Sequence, residues 1–174
     1  MSREWLKYTR DCFMIKKKEM REPNVNSIRV RELVIGEGMP KICVPIVENT
    51  RTEILKMAKE IVNSLADMVE WRADWYESVF DLEKVVEVAA ELREILGDLP
   101  LLFTFRTKAE GGEKEIEPAH YRELLIAVAA TSDVDMIDVE AFFDDDIAQL
   151  ICDLHEKDVV VVGSNHDFEG TPSK

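Results

Sequence analysis

Val159-Val160-Val161-Val162-Gly163-Ser164-Asn165-His166-Asp167-Phe168 is the stretch whose reading decides the fold class. Four consecutive valines suit a strand buried on both faces, the environment of a parallel sheet covered by helices. The run breaks at Gly163 into a polar cluster that sets one histidine between an amide and a carboxylate. In α/β folds the chemistry collects at the carboxyl ends of parallel strands. His166 is therefore the first catalytic candidate, since an imidazole exchanges a proton near neutrality. A histidine that merely caps a strand end by hydrogen bonds fits this stretch equally well.

Upstream of the valines the same unit recurs. Ile42 to Val47 reads as a strand, with Pro45 requiring an edge or strand-end position. Thr50 and Glu53 form a capping-box pattern, followed by Ile54, Met57, Ala58, Ile61, Val62 and Leu65 at helical spacing. Met68 to Arg72 is a second strand, and Leu82, Val85, Val86, Ala89, Leu92 and Leu96 mark a helix stopped by Gly97. Leu101 to Arg106 is a third strand, and Pro118 opens a helix carrying Tyr121, Leu124, Leu125 and Val128. Val134 to Glu140 is a fourth strand, and a helix with Ile147, Leu150, Ile151 and Leu154 leads into the valines as a fifth.

Strand–helix alternation of this kind predicts a parallel sheet with right-handed crossovers. Two architectures compete, an open doubly wound sheet and a (β/α)₈ barrel. No glycine-rich phosphate loop follows the first strand, which counts against a nucleotide-binding open sheet. Polar residues close successive strands: Glu70 and Arg72, then Arg106, then Asp138 and Glu140, then His166. Strands that all feed one polar centre describe a barrel mouth. Five strands, however, do not close a barrel.

Composition sets the outer limits. The chain has 174 residues, 46% of them hydrophobic and 33% charged, which is enough for one sizeable core and too little for two domains. A net charge of −14 argues against a nucleic-acid partner, and no apolar run is long enough to span a membrane. Residues 1–23 differ, carrying seven basic against four acidic side chains, and read as a flexible basic extension ahead of a domain over 24–174. Cys12, Cys43 and Cys152 form no CxxC pair, so they read as reduced thiols in a cytoplasmic protein, with Cys43 and Cys152 as small core residues.

Two arginines, several carboxylates and one histidine suit a small, anionic, oxygen-rich substrate. Arg106 could clamp a carboxylate by a forked pair of hydrogen bonds. His166 would move a proton while a carboxylate such as Glu110 orients its other ring nitrogen. Glu70 and Arg72, two apart on a strand, share a face and could equally form a salt bridge with each other. Asp138 and Glu140 could serve an internal ion network. Glu70, Asp138, Glu140 and His166 could also make an oxygen-rich divalent-cation site, although nothing in their spacing requires a metal. Trp71 and Trp75 read as packing residues.

Taken together, Glu70-Trp71-Arg72-Ala73-Asp74, Phe103-Thr104-Phe105-Arg106-Thr107 with Glu110-Gly111-Gly112, Asp138-Val139-Glu140, and Ser164-Asn165-His166-Asp167-Phe168 with Thr171-Pro172 resemble type I 3-dehydroquinate dehydratase of the shikimate pathway. Val34-Ile35-Gly36 and Pro40 to Pro45 also fit, so the resemblance covers about residues 27–174. It implies a (β/α)₈ TIM barrel preceded by a β-hairpin around Ser27 to Gly36, with about five of eight βα units in this chain. It implies syn elimination of water from 3-dehydroquinate through a lysine Schiff base, without metal or added cofactor. By the same resemblance His166 is the proton-transfer residue and Glu110 its carboxylate partner. Glu70, Arg72 and Arg106 match substrate-binding positions, and Asp138 and Glu140 supporting acids.

One element of the pattern is missing. The family's Schiff-base lysine lies on the strand after the one ending at His166, and Lys174 is not assigned that role. The expectation is therefore a C-terminally truncated barrel, either an enzyme by lineage or a non-catalytic half-barrel that needs a complementing C-terminal fragment. An uncovered sheet edge would favour self-association into a homo-oligomer.

Overall fold

The computed structural model describes residues 27–170; the basic stretch 1–23, Thr171-Pro172 and Lys174, singled out in the sequence, lie outside the described residues. The chain begins with an antiparallel hairpin, β1 (Ile28–Val30) and β2 (Leu33–Ile35), turned tightly through Arg31 at φ 52°. Four βα steps and a fifth strand follow. They are β3 (Cys43–Ile46), α1 (Arg51–Ile61), β4 (Met68–Arg72), α2 (Leu82–Leu96), β5 (Leu101–Thr104), α3 (Pro118–Ala129), β6 (Met136–Glu140), α4 (Ile147–His155) and β7 (Val160–Ser164). Short 3₁₀ turns at Ala73–Trp75 and Lys108–Glu110 extend the strand ends.

Local chemistry sets the boundaries. Thr50 and Glu53 make the reciprocal capping box that starts α1. Asp81 caps α2 by accepting from the Lys84 amide, and Gly97 ends it at φ 57°, a backbone region most side chains avoid. Pro118 occupies the first turn of α3, where its missing N–H costs nothing.

The five long-range strands are all parallel and lie in the order β3-β4-β5-β6-β7. A doubly wound sheet reverses its strand order at a switch point. This one never reverses, so every crossover turns the same way and the helices cover one face. Val69, Trp71, Leu101, Phe103, Ile137 and Val139 meet Ile54, Val85, Leu92, Leu125 and Leu150 in one buried core between sheet and helices. On the other face Met68, Leu102 and Met136 form a second apolar layer, packed with Val30 of the hairpin and flanked by Leu33, Ile35 and Val160. The hairpin thus covers the amino-terminal end of a partial barrel.

The sheet edges correct two sequence expectations. Of the four valines only Val159 is buried, Val160 and Val161 are half-buried and Val162 is exposed, because β7 pairs with β6 on one side alone. Cys43 is exposed rather than core, since β3 is the opposite edge; Cys152 is half-buried. Pro45 sits on that edge strand, where the ladder can spare its N–H. Helix α1 stops at Ile61, which leaves Val62 and Leu65 of the expected stripe exposed. Trp71 is fully buried and Trp75 partly exposed. No helix among the described residues is long and apolar enough to cross a membrane.

Candidate active site

Strand pleating sends alternate side chains to opposite faces. With Met68, Leu102, Met136 and Val160 on the inner face, Glu70, Thr104, Asp138 and Val162 follow one layer higher. Arg72, Arg106, Glu140 and Ser164 come next, and His166 last. The apolar bottom layer therefore gives way to a polar upper one toward the carboxyl ends of the strands.

Arg106 is the centre of that polar layer and is 6% exposed. Its Nη2 donates to Asp138 Oδ1 at 2.9 Å. Its Nη1 donates to Glu140 Oε1 at 3.0 Å, to Ser164 Oγ at 2.9 Å and, more distantly, to Glu110 Oε2 at 3.4 Å. Ser164 passes a further hydrogen bond to Asp138 Oδ1 at 2.8 Å. Glu140 also accepts from the amide and hydroxyl of Thr107, both at 2.8 Å, and its own backbone N–H donates to Tyr121 Oη. Burial pushes the carboxyls of Asp138 and Glu140 above the usual carboxylate range, although the donors from Arg106, Ser164 and Thr107 pull the other way. Arg106 is thus already gripped by protein oxygens, unlike the open carboxylate clamp expected from sequence. Nε and one N–H of Nη2 have no hydrogen-bond partner among the described residues.

Glu110 stands on the 3₁₀ turn after β5, and its Oε2 reaches His166. The oxygen lies 2.9 Å from Nδ1 of the ring and accepts the His166 backbone N–H at 2.9 Å. With a carboxylate at Nδ1, the proton sits there and Nε2 is the nitrogen left for a reacting proton. The His166 side chain is 43% exposed, so that nitrogen is accessible. Gly111 and Gly112 let the Glu110 loop close in. A Cβ on Gly112 would fall 1.9 Å from the Arg106 carbonyl oxygen, and one on Gly111 would fall 2.8 Å from the Phe168 ring.

The Glu70–Arg72 pair allowed by the sequence does not form. Arg72 instead donates through Nε and Nη2 to the two oxygens of Asp74, each at 2.8 Å. That contact holds its guanidinium pKa above the ordinary value. Glu70 is half-buried on the inner face, without a hydrogen bond or ion pair among the described residues. Among the described residues no three His, Cys, Asp or Glu side chains stand together so as to hold a metal ion. Asp74, Ser164, Thr107 and Tyr121 also belong to the site, without a role legible in the sequence. The inward parity of Ser164 with His166 was a usable signal; Tyr121 gave none, since its place in a helical apolar stripe marks only a core residue.

The family model for "Type I 3-dehydroquinase" matches residues 42–174. Two similar curated proteins, both 3-dehydroquinate dehydratases, come from Clostridium botulinum at 50% identity and Clostridioides difficile at 45%, each over 148 residues. These alignments take in 84% of this chain and 58% of each relative, so the chain spans under two thirds of their length. Among solved structures, type I 3-dehydroquinate dehydratase from Clostridium difficile superposes with a TM-score of 0.81 at 45% identity, over 84% of this chain and 58% of that one. The Geobacillus kaustophilus 3-dehydroquinate dehydratase gives 0.80 at 36% identity, covering 84% and 57%.

Proposed function

Since the chain belongs to the type I 3-dehydroquinase family, we propose that the protein eliminates water from 3-dehydroquinate to give 3-dehydroshikimate, a carbon–oxygen lyase reaction of the shikimate pathway in the cytoplasm. The observation that carries this reading is the 2.9 Å contact between Glu110 Oε2 and His166 Nδ1 at the carboxyl ends of parallel strands. Nε2 takes the proton from the carbon next to the substrate ketone, and the C–H electron pair moves toward the carbonyl carbon. As the enolate reverts to the ketone, its electron pair forms the new C=C bond and expels the hydroxyl, which leaves with the same proton as water and returns the imidazole to its starting state. Glu110 fixes the tautomer throughout. Arg72 and the remaining N–H groups of Arg106 meet the substrate's carboxylate and hydroxyls and Glu70 its hydroxyls, while Asp138 and Glu140 hold Arg106.

The family resemblance adds an imine between the ketone and a lysine on the strand after β7, which makes the neighbouring proton far more acidic. No lysine stands on the inner face of β3 to β7. Arg72, whose Nη1 has no hydrogen-bond partner among the described residues, also suits a second reading, a half-barrel that binds the substrate without turning it over. Borohydride reduction in the presence of 3-dehydroquinate, read by intact mass, separates the two. A stable adduct means imine chemistry on this protein. No adduct, with binding that still depends on Arg72, means the half-barrel. Loss of both overturns the substrate assignment.

A further inference from the structure

We propose that Asp74 is a positioning residue that aims Arg72 at the substrate and fixes the loop presenting Glu110 to His166. This rests on the reading of Arg72 as a substrate-binding residue. Asp74 lies on the 3₁₀ turn just beyond β4 and is fully buried. Its carboxylate collects donors from three separate segments. Arg72 supplies Nε and Nη2, the Arg106 amide at the end of β5 donates at 3.4 Å, and the Glu113 amide donates at 3.1 Å from the loop after Glu110. Its carbonyl oxygen accepts from Lys114 Nζ, which also donates to the Tyr76 carbonyl at 3.0 Å.

The geometry gives each contact a consequence. A guanidinium is planar, so fixing its Nε–Nη2 side on Asp74 fixes the direction of the whole fork. Nη1 and the second N–H of Nη2 then have no hydrogen-bond partner among the described residues, and they form the edge open to a ligand oxygen. The Glu113 and Lys114 contacts pin the far side of the Gly111-Gly112 turn, whose near side carries Glu110. One buried carboxylate therefore sets the anion-holding edge and the proton-transfer pair together.

The test compares wild type, Asp74→Asn, Arg72→Ala and the double variant by ¹⁵N–¹H NMR and by calorimetric titration with 3-dehydroquinate. In Asp74→Asn the Arg72 Nε–H signal should shift and exchange faster, and the His166 ring signals should move. In Arg72→Ala, which leaves the buried acid in place, the Arg106 and Glu113 amide signals should shift although both residues are more than thirty positions away in sequence. Affinity should fall by ~10-fold or more in each single variant and no further in the double. A purely structural Asp74 would lower thermal stability and leave the His166 ring signals and the affinity in place; an unmoved His166 ring, or additive losses of affinity, overturns the proposal. Wild type that fails to bind 3-dehydroquinate removes the functional reading instead, and the NMR comparison still decides the role of Asp74.

Discussion

Glu110 holds His166 at two points, through the ring Nδ1 and the backbone N–H, with a single carboxylate oxygen 2.9 Å from each. The two residues are 56 apart in sequence, so the contact joins the loop after β5 to the end of β7. Because Glu110 contacts the histidine ring, Glu110→Gln should lower kcat of the proposed dehydration by ~10²-fold and leave KM nearly unchanged. His166→Ala should lose ~10²–10⁴-fold. Arg72→Ala should instead act mainly on KM. Steady-state rates, followed by the absorbance of the conjugated enone product, distinguish the three.

The acids around Arg106 give stability a pH dependence of definite sign. Burial raises the Asp138 carboxyl, so the folded state holds its proton more tightly than the unfolded chain does. The stability this contributes is fully present below the ordinary carboxylate pKa of about 4 and is lost as pH rises through the raised value. Asp138→Asn removes that titration. Its melting temperature relative to wild type should therefore improve steadily as pH rises from about 4 toward neutrality. A difference that stays constant, or runs the other way, would mean that Arg106 and Ser164 keep Asp138 ionised throughout.

Much of this arrangement was legible because a strand has only two faces. The even numbering of Met68, Glu70 and Arg72, and of Met136, Asp138 and Glu140, assigns them one side of the sheet before any coordinate is known. The helix stripes, the Thr50 cap and the Gly97 stop follow from equally local rules. What escaped depends on partners remote in the chain. Four valines say that a strand is apolar, but whether it is central or an edge depends on its neighbours. Arg72 prefers Asp74 to Glu70 because the 3₁₀ turn at Ala73 folds the later acid back under the guanidinium. Side chains two apart on an extended strand stand side by side, ~6.5 Å apart along the strand. Nor does the sequence show that Tyr121 supplies the acceptor for the Glu140 amide.

The adjacent glycines of the Glu110 loop should respond differently to a methyl group. At Gly112 the new Cβ would strike backbone, 1.9 Å from the Arg106 oxygen and 2.5 Å from its carbonyl carbon. Since that strand end also supplies the central arginine, Gly112→Ala should cost about 3 kcal/mol and displace the site. At Gly111 the obstacle is the rim of the exposed Phe168 ring, which can swing away, and the remaining cost is a positive φ of 85°. Gly111→Ala should cost about 1 kcal/mol. Denaturant titration of both variants checks the order, and equal losses would show that the loop moves as freely as the ring.

At the opposite end of the sheet, Asp135 fastens the hairpin. It accepts from Arg31 Nε at 2.6 Å, Arg93 Nη2 at 2.7 Å and the Leu101 amide at 2.8 Å, which ties the β1–β2 turn, α2 and the start of β5 to one carboxylate. Arg93 depends on that anion, because burial pulls its guanidinium pKa below the ordinary value and Asp135 is the main influence opposing the shift. Asp135→Ala would leave two guanidinium groups and one backbone N–H without their shared acceptor, a loss of about 3 kcal/mol. Asp135→Asn, which keeps an acceptor but not the charge, should lose less. Hydrogen exchange locates the effect: the amides of the hairpin should exchange much faster in Asp135→Ala, while those of the Glu110 loop keep their wild-type rates. Unchanged hairpin protection would mean that the Val30 contact with Met68, Leu102 and Met136 closes the barrel floor without help from the ion cluster.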